Sequence, residues 1–237
     1  VADADGYRRV GRILRSLRKQ GERVAIVVSA MSGVTDGLIE LVNLAASQND
    51  SYVANLQSLK QRNLETIFQL DLSDDQKQSL TESLTADFKS LEEVLRGVWI
   101  TGLASEPIKE FVSGHGELWS AQLLHAHLEN CHESSCWLDA RKILIVEPQS
   151  RTVTVDWELS RERLRASNIA AAPTDFAVIT GYIASTHDNV ATTLKRNGSD
   201  FSASIFAALL KADSVTIWTD VDGVLSADPR RVPDALV

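Results

Sequence analysis

The run Val24-Ala25-Ile26-Val27-Val28 constrains this chain more than any other feature. Five successive apolar residues, four of them β-branched, leave no polar face, so a strand built from them must be covered on both sides. Helices on either side of a parallel sheet provide that cover. The flanking sequence supplies them: residues 7–20 place Val10, Ile13, Leu14 and Leu17 at helical spacing, and Gly21 ends the run. Further along, residues 36–48 and 51–96 carry helical periodicity, with a start signal at Leu72-Ser73-Asp74-Asp75, and read as a helical insertion. Residues 106–129 form another helical stretch. Short strands are expected at 136–138, 143–146, 176–180, 191–194 and 215–218, with helices near 158–166 and 201–212. That alternation predicts an α/β fold with a mostly parallel sheet covered by helices.

Size and charge narrow the function. A chain of 237 residues, 44% hydrophobic, buries a substantial core, and one large domain or two intimate lobes follows. A formal net charge of -8 excludes nucleic acid as the expected partner, because phosphate contacts demand a clustered excess of Lys and Arg. The basic run from Arg8 to Arg23 interleaves with apolar residues and reads as a solvated helix face. No apolar stretch reaches the roughly 20 residues that cross a bilayer, and no signal-peptide core precedes it, so a cytoplasmic location without membrane partners is expected. Two cysteines, Cys131 and Cys136, fit a reducing compartment. Although His125, His127 and His132 lie nearby, the CxxC or HxxxH spacings of a zinc site are absent, and no protein-held metal is expected.

Four segments carry chemistry, and the strand pattern sets most of them at the carboxyl edge of the sheet, where open α/β folds bind ligands. Ser29-Ala30-Met31-Ser32-Gly33-Val34-Thr35-Asp36 follows the first strand with small residues and hydroxyls, suited to an anion, and Thr35 or Asp36 is expected to cap the next helix. Ser113-Gly114-His115-Gly116-Glu117 delivers a carboxylate to the first turn of an apolar helix, where it either meets the helix dipole or receives an ammonium group. Lys195-Arg196-Asn197-Gly198-Ser199-Asp200 concentrates cations and hydroxyls at a helix entry. In Trp218-Thr219-Asp220-Val221-Asp222-Gly223 and Ala227-Asp228-Pro229-Arg230, carboxylates and an arginine suit a nucleotide and its cation.

Taken in order, together with Trp137-Leu138-Asp139-Ala140-Arg141, these segments resemble aspartate kinases of the amino-acid kinase family, over essentially the whole chain from Gly6 to Val237. The Leu194-Lys195-Arg196 wording is similar to that of aspartate kinases fused to a homoserine dehydrogenase. The resemblance implies a three-layer αβα sandwich with an open, mostly parallel sheet, the carbamate-kinase-like fold. It implies a single catalytic domain over 1–237, with 1–170 mainly the aspartate lobe and 171–237 the start of the ATP lobe, truncated at both ends. The implied reaction converts ATP and L-aspartate to 4-phospho-L-aspartate and ADP, with Mg²⁺, in lysine, threonine and methionine biosynthesis.

By the same resemblance, Glu117 binds the α-ammonium of aspartate and Arg196 its α-carboxylate, Thr35 and Asp200 complete the pocket, and Arg196 and Asp200 carry catalysis. Ser29 and Gly33 line the phosphate path, and Thr219, Asp220, Leu225 and Arg230 hold ATP. A homo-oligomer and a fused homoserine dehydrogenase domain are the partners implied. The chain departs from the family at Leu225, where relatives commonly carry Tyr, and at Lys195 and Asn197, which replace glycines. The family's catalytic Lys-Phe-Gly-Gly strand is expected before Val1, so little turnover is expected of this chain. Kinases of the same fold acting on glutamate, acetylglutamate or UMP lack the Gly-His-Gly-Glu and Lys-Arg-Asn-Gly-Ser-Asp pair. An inactive ligand-binding fragment is the other reading.

Overall fold

The computed structural model describes residues 1–150, 152–167, 174–195, 198–218 and 232. Helix α1 (Ala4–Lys19) is capped by Asp3, whose carboxylate accepts from the Gly6 amide, and leads into β1 (Val24–Val28). Helices α2 (Val34–Ala46), α3 (Ser51–Gln69) and α4 (Asp74–Thr101) follow. The long helical stretch expected at 51–96 is therefore two helices. Ser73, within the start signal Leu72-Ser73-Asp74-Asp75, divides them through a capping box with Gln76. The next stretch also divides, into α5 (Glu106–Ser113) and α6 (His115–Asn130).

Strand β2 (Ser135–Leu138), the hairpin β3 (Val146–Pro148) and β4 (Val153–Val155), helix α7 (Trp157–Arg165) and β5 (Phe176–Thr180) come next. A second hairpin, β6 (Ile183–Ser185) and β7 (Ala191–Thr193), leads to helix α8 (Gly198–Leu210). The strand expected at 143–146 is corrected: Ala140–Lys142 is a 3-10 turn and Ile145 makes only an isolated bridge to Ser185, with Val146 alone entering β3. Residues 215–218 also form no strand. Val215, Ile217 and Trp218 are exposed, with no ladder partner among the described residues.

The central sheet has the order β1-β5-β2, with both pairings parallel, Val24 opposite Phe176 and Ser135 opposite Phe176. All five residues of β5 are buried, as a strand covered on both faces requires. Its alternate side chains feed two cores: Phe176 and Val178 join the helices α1 to α4 and α6, while Ile179 joins Ile205, Phe206 and Leu209 of α8 with Leu164 of α7. Helix layers thus lie on both sides of a parallel sheet, the layered α/β arrangement expected. Because every strand of the central sheet points the same way, Val28, Leu138 and Thr180 end at one edge. The loops that leave this edge build the site.

Candidate functional site

At the carboxyl edge the chain closes on itself through backbone hydrogen bonds. The Gly181 amide donates to the Val28 carbonyl at 2.8 Å and the Leu194 amide to the Tyr182 carbonyl at 2.7 Å. Ser202, on α8, accepts from the Tyr182 amide at 2.9 Å and donates to the Gly198 carbonyl at 2.8 Å. These bonds draw the end of β1, the β5–β6 turn and the start of α8 together. Between them and helices α2, α5 and α6 lies an open cleft of about 770 Å³. Ser29, Thr35, Glu117 and Asp200, drawn from three separate stretches of sequence, all line it.

Glu117 is the electrostatic centre of this cleft. It sits in the first turn of α6, is 3% exposed, and accepts a hydrogen bond through Oε1 from the Ala30 amide at 3.3 Å. Its Oε2 is buried without a hydrogen-bond partner among the described residues. Burial pushes the carboxyl up to about 8, against the smaller lowering effect of backbone N–H donors at Ala30 and Glu117. Among the described residues a carboxylate so placed has no counter-charge, and a ligand ammonium is the group that supplies one.

Gly116 explains how Glu117 reaches the β1–α2 loop. A Cβ on Gly116 would lie 2.6 Å from the Ala30 Cβ and 3.1 Å from Val34 Cγ1, so α6 approaches that loop as closely as only glycine permits. Gly116→Ala is expected to destabilise the fold by about 1–3 kcal/mol through overpacking. It should also weaken ligand binding in the cleft, because α6 must back away from Ala30. Urea unfolding and calorimetry on the variant check both halves. The neighbouring His115 is buried and donates from Nδ1 to the Phe111 carbonyl at 2.9 Å. Burial holds its pKa below the ordinary histidine value, so it anchors α6 as a neutral ring.

The loop after β1 differs in one respect from the sequence reading. Thr35 and Asp36 do not cap α2; Gly33 occupies the N-cap position with φ 77°, and no side chain completes the cap. Both residues lie inside the helix, where Thr35 and Asp36 face the cleft. Gly33 itself is not among the cleft's lining residues. It sits beside Arg62, whose Nη2 donates to the Ser32 carbonyl at 2.8 Å and so holds the turn from α3. Arg196, Thr219, Asp220, Leu225 and Arg230 lie outside the described residues.

The cleft also contains a feature the sequence did not disclose. Glu110, half a helix before the Gly-His-Gly-Glu segment, is 9% exposed and forms a salt bridge with Lys195. It accepts from Thr192 Oγ1 at 2.7 Å and from Thr193 Oγ1 at 3.4 Å. The one available signal was a glutamate three residues before Ser113, in the helix that leads into the Gly-His-Gly-Glu segment. Among the described residues no group of three or more His, Cys, Asp or Glu could hold a metal ion, and no helix is long and apolar enough to cross a membrane. Both cysteines are free thiols, and Cys131 Sγ lies 4.0 Å from His127 Nε2.

A sequence profile described as the amino acid kinase family matches residues 1–237. The chain belongs to that family. Its relatives include "Bifunctional aspartokinase/homoserine dehydrogenase 1, chloroplastic" of Zea mays, 45% identical over 222 residues, covering 93% of this chain and 24% of the relative. "Bifunctional aspartokinase/homoserine dehydrogenase 2" of Escherichia coli (strain K12) is 34% identical over 235 residues, covering 99% of this chain and 28% of the relative. The chain thus spans about a quarter of the length of these relatives. Among solved structures, E. coli aspartokinase III in complex with aspartate and ADP superposes with a TM-score of 0.83 at 23% identity, over 99% of this chain and 50% of that one. Clostridium acetobutylicum aspartate kinase gives 0.68 at 23% identity, over 97% and 48%. These likenesses bear out the fold read from the sequence.

Proposed function

We propose that this chain is the catalytic domain of an aspartate kinase, transferring the γ-phosphoryl group of ATP to the side-chain carboxylate of L-aspartate. The observation that carries the reading is the buried Glu117 carboxylate, whose Oε2 has no partner among the described residues, facing a cleft that also presents Ser29, Thr35 and Asp200. An α-amino acid brings the ammonium that Glu117 lacks. Arg196, beside the described Lys195, is assigned the α-carboxylate. Relatives at 34% to 45% identity named as aspartokinase/homoserine dehydrogenases support the choice of acceptor.

The chemistry asks little of a base. The aspartate side chain, with a pKa near 4, is already ionised at neutral pH and attacks phosphorus directly. The site's work is therefore to orient the acceptor and stabilise charge on the transferring group. Ser29, at the exit of β1, and the Gly33 turn held by Arg62 are assigned to the phosphate path, and Thr219, Asp220, Leu225 and Arg230 to ATP. Magnesium, held chiefly through the nucleotide phosphates, would neutralise part of their charge. We assign residues 1–170 mainly to the acceptor side and 171–237 to the start of the nucleotide side. A fused homoserine dehydrogenase and self-association belong to the proposal for the longer protein. The reducing compartment suits the cytoplasm and equally the chloroplast that the maize relative's name gives.

Binding selectivity tests this reading independently of turnover. Calorimetry should show L-aspartate binding at least about tenfold more tightly than N-acetyl-L-glutamate, which has no ammonium to meet Glu117, or UMP. Tighter binding of N-acetyl-L-glutamate or UMP would assign the chain to a different acceptor class within the family.

A further inference from the structure

Lys195 occupies the cleft in an unusual way. Its backbone adopts φ 63°, a left-handed conformation that a residue with a side chain enters only when its surroundings hold it there. The holding group is Glu110. This one buried carboxylate, on α5, binds the hydroxyls of Thr192 and Thr193 at the end of β7 and, two residues on, the Lys195 ammonium. Glu106 Oε1 stands 3.7 Å from the same Nζ, near enough for attraction and too far for a hydrogen bond. An ammonium carries three donors, and the Glu110 contact leaves two without a hydrogen-bond partner among the described residues. The side chain is 20% exposed and lines the cleft together with Glu117.

Charge around the cleft makes those two donors consequential. Five of its described residues carry carboxyl groups, whereas Lys109 and Lys195 alone among them carry ammonium groups. An acceptor with two carboxylates entering this surface needs fixed positive charge. Lys195 is the cation whose position is fixed by a buried partner. Burial lowers its pKa, but the Glu110 carboxylate, with Glu106 and Tyr182, more than offsets this, so it stays charged through the neutral range.

We propose that Lys195 is a specificity-determining residue that binds a carboxylate of the acceptor amino acid, and that Glu110 is the positioning residue that aims it into the cleft. The assignment rests on the aspartate reading above and deepens it. In the rival account Lys195 does no more than neutralise Glu110, and the pair is a strut between α5 and β7.

Three variants of the full chain separate these accounts: Lys195→Met, Glu110→Gln and the double variant Glu110→Gln/Lys195→Met. Each is titrated with L-aspartate and with ATP by calorimetry, and its thermal midpoint is measured. Lys195→Met should weaken L-aspartate by about tenfold to a hundredfold, the worth of one charge-assisted hydrogen bond, and leave ATP within about twofold. It should also lower the thermal midpoint, because the Glu110 carboxylate then stays buried without its counter-charge. The double variant removes that stranded charge. It should recover the midpoint yet stay as weak towards L-aspartate as Lys195→Met. Glu110→Gln alone should weaken L-aspartate by a smaller factor. Recovery of aspartate affinity together with the midpoint in the double variant would overturn the proposal, as would unchanged affinity in Lys195→Met. Failure of the unsubstituted chain to bind L-aspartate, with ATP still bound, would instead overturn the aspartate reading and this assignment with it.

Discussion

Replacing Glu117 by glutamine is expected to weaken L-aspartate binding while making the folded chain more stable above neutral pH. Loss of one member of a buried ion pair costs about 3–5 kcal/mol, so the L-aspartate dissociation constant should rise by about 10²-fold or more. Stability should move the other way. In the ligand-free fold, burial raises the Glu117 carboxyl from its ordinary 4.5 to about 8, so the folded state holds a proton that the unfolded chain releases. Between those two values the folded state binds more protons than the unfolded one, and stability falls as pH rises. The penalty is absent below the unfolded value and complete above the folded one, where it amounts to roughly 5 kcal/mol at most. Glu117→Gln carries no such penalty. Urea unfolding should therefore show the variant gaining on the natural chain steadily from pH 5 to pH 8. Parallel stability curves would show that Glu117 titrates normally and that its isolation is not electrostatic.

The second large effect is structural and should leave binding alone. Phe176 begins β5, is fully buried, and packs among the residues of the larger core. Phe176→Ala should lower stability by about 3–5 kcal/mol through lost transfer energy and the cavity left behind. The ligand edge lies at the other end of the strand, at Thr180, whose hydroxyl accepts from the Ala140 amide at 2.8 Å. Below its thermal midpoint the variant should bind L-aspartate within about twofold of the natural chain. A matching loss of affinity would mean that the site edge is less independent of the sheet's other end than the geometry indicates.

Much of this arrangement was legible in the residues, and the reasons are local. Val24–Val28 and Phe176–Thr180 announce buried parallel strands because neither has a polar face, and the structure pairs them in register. Leu72-Ser73-Asp74-Asp75 announces a helix start, because a side-chain cap acts within one turn, and the structure completes it with Gln76. The three-residue strands β3, β4 and β6 escaped notice, since so few residues give no periodicity to read. In the site, Glu117 stood out through the two glycines, Gly114 and Gly116, that precede it around His115. Glu110 did not, because its importance comes from Thr192, Thr193 and Lys195, some 82 to 85 residues away in sequence. Pairings of that range are set by tertiary packing. The cap of α2 misled for a related reason: a left-handed Gly33 moved the helix start ahead of both polar candidates.

Proton release on ligand binding tests the central claim most directly. If Glu117 is protonated in the empty cleft near pH 7 and ionised opposite the ammonium of bound L-aspartate, binding must expel that proton. Titration of L-aspartate at pH 7 in two buffers of different ionisation enthalpy should show release of about one proton per site by the natural chain, since a group titrating near 8 is mostly protonated at that pH. Binding of L-aspartate with no difference in heat between the two buffers would contradict the account, because it would mean that the Glu117 carboxyl is either already ionised in the empty cleft or still protonated in the complex.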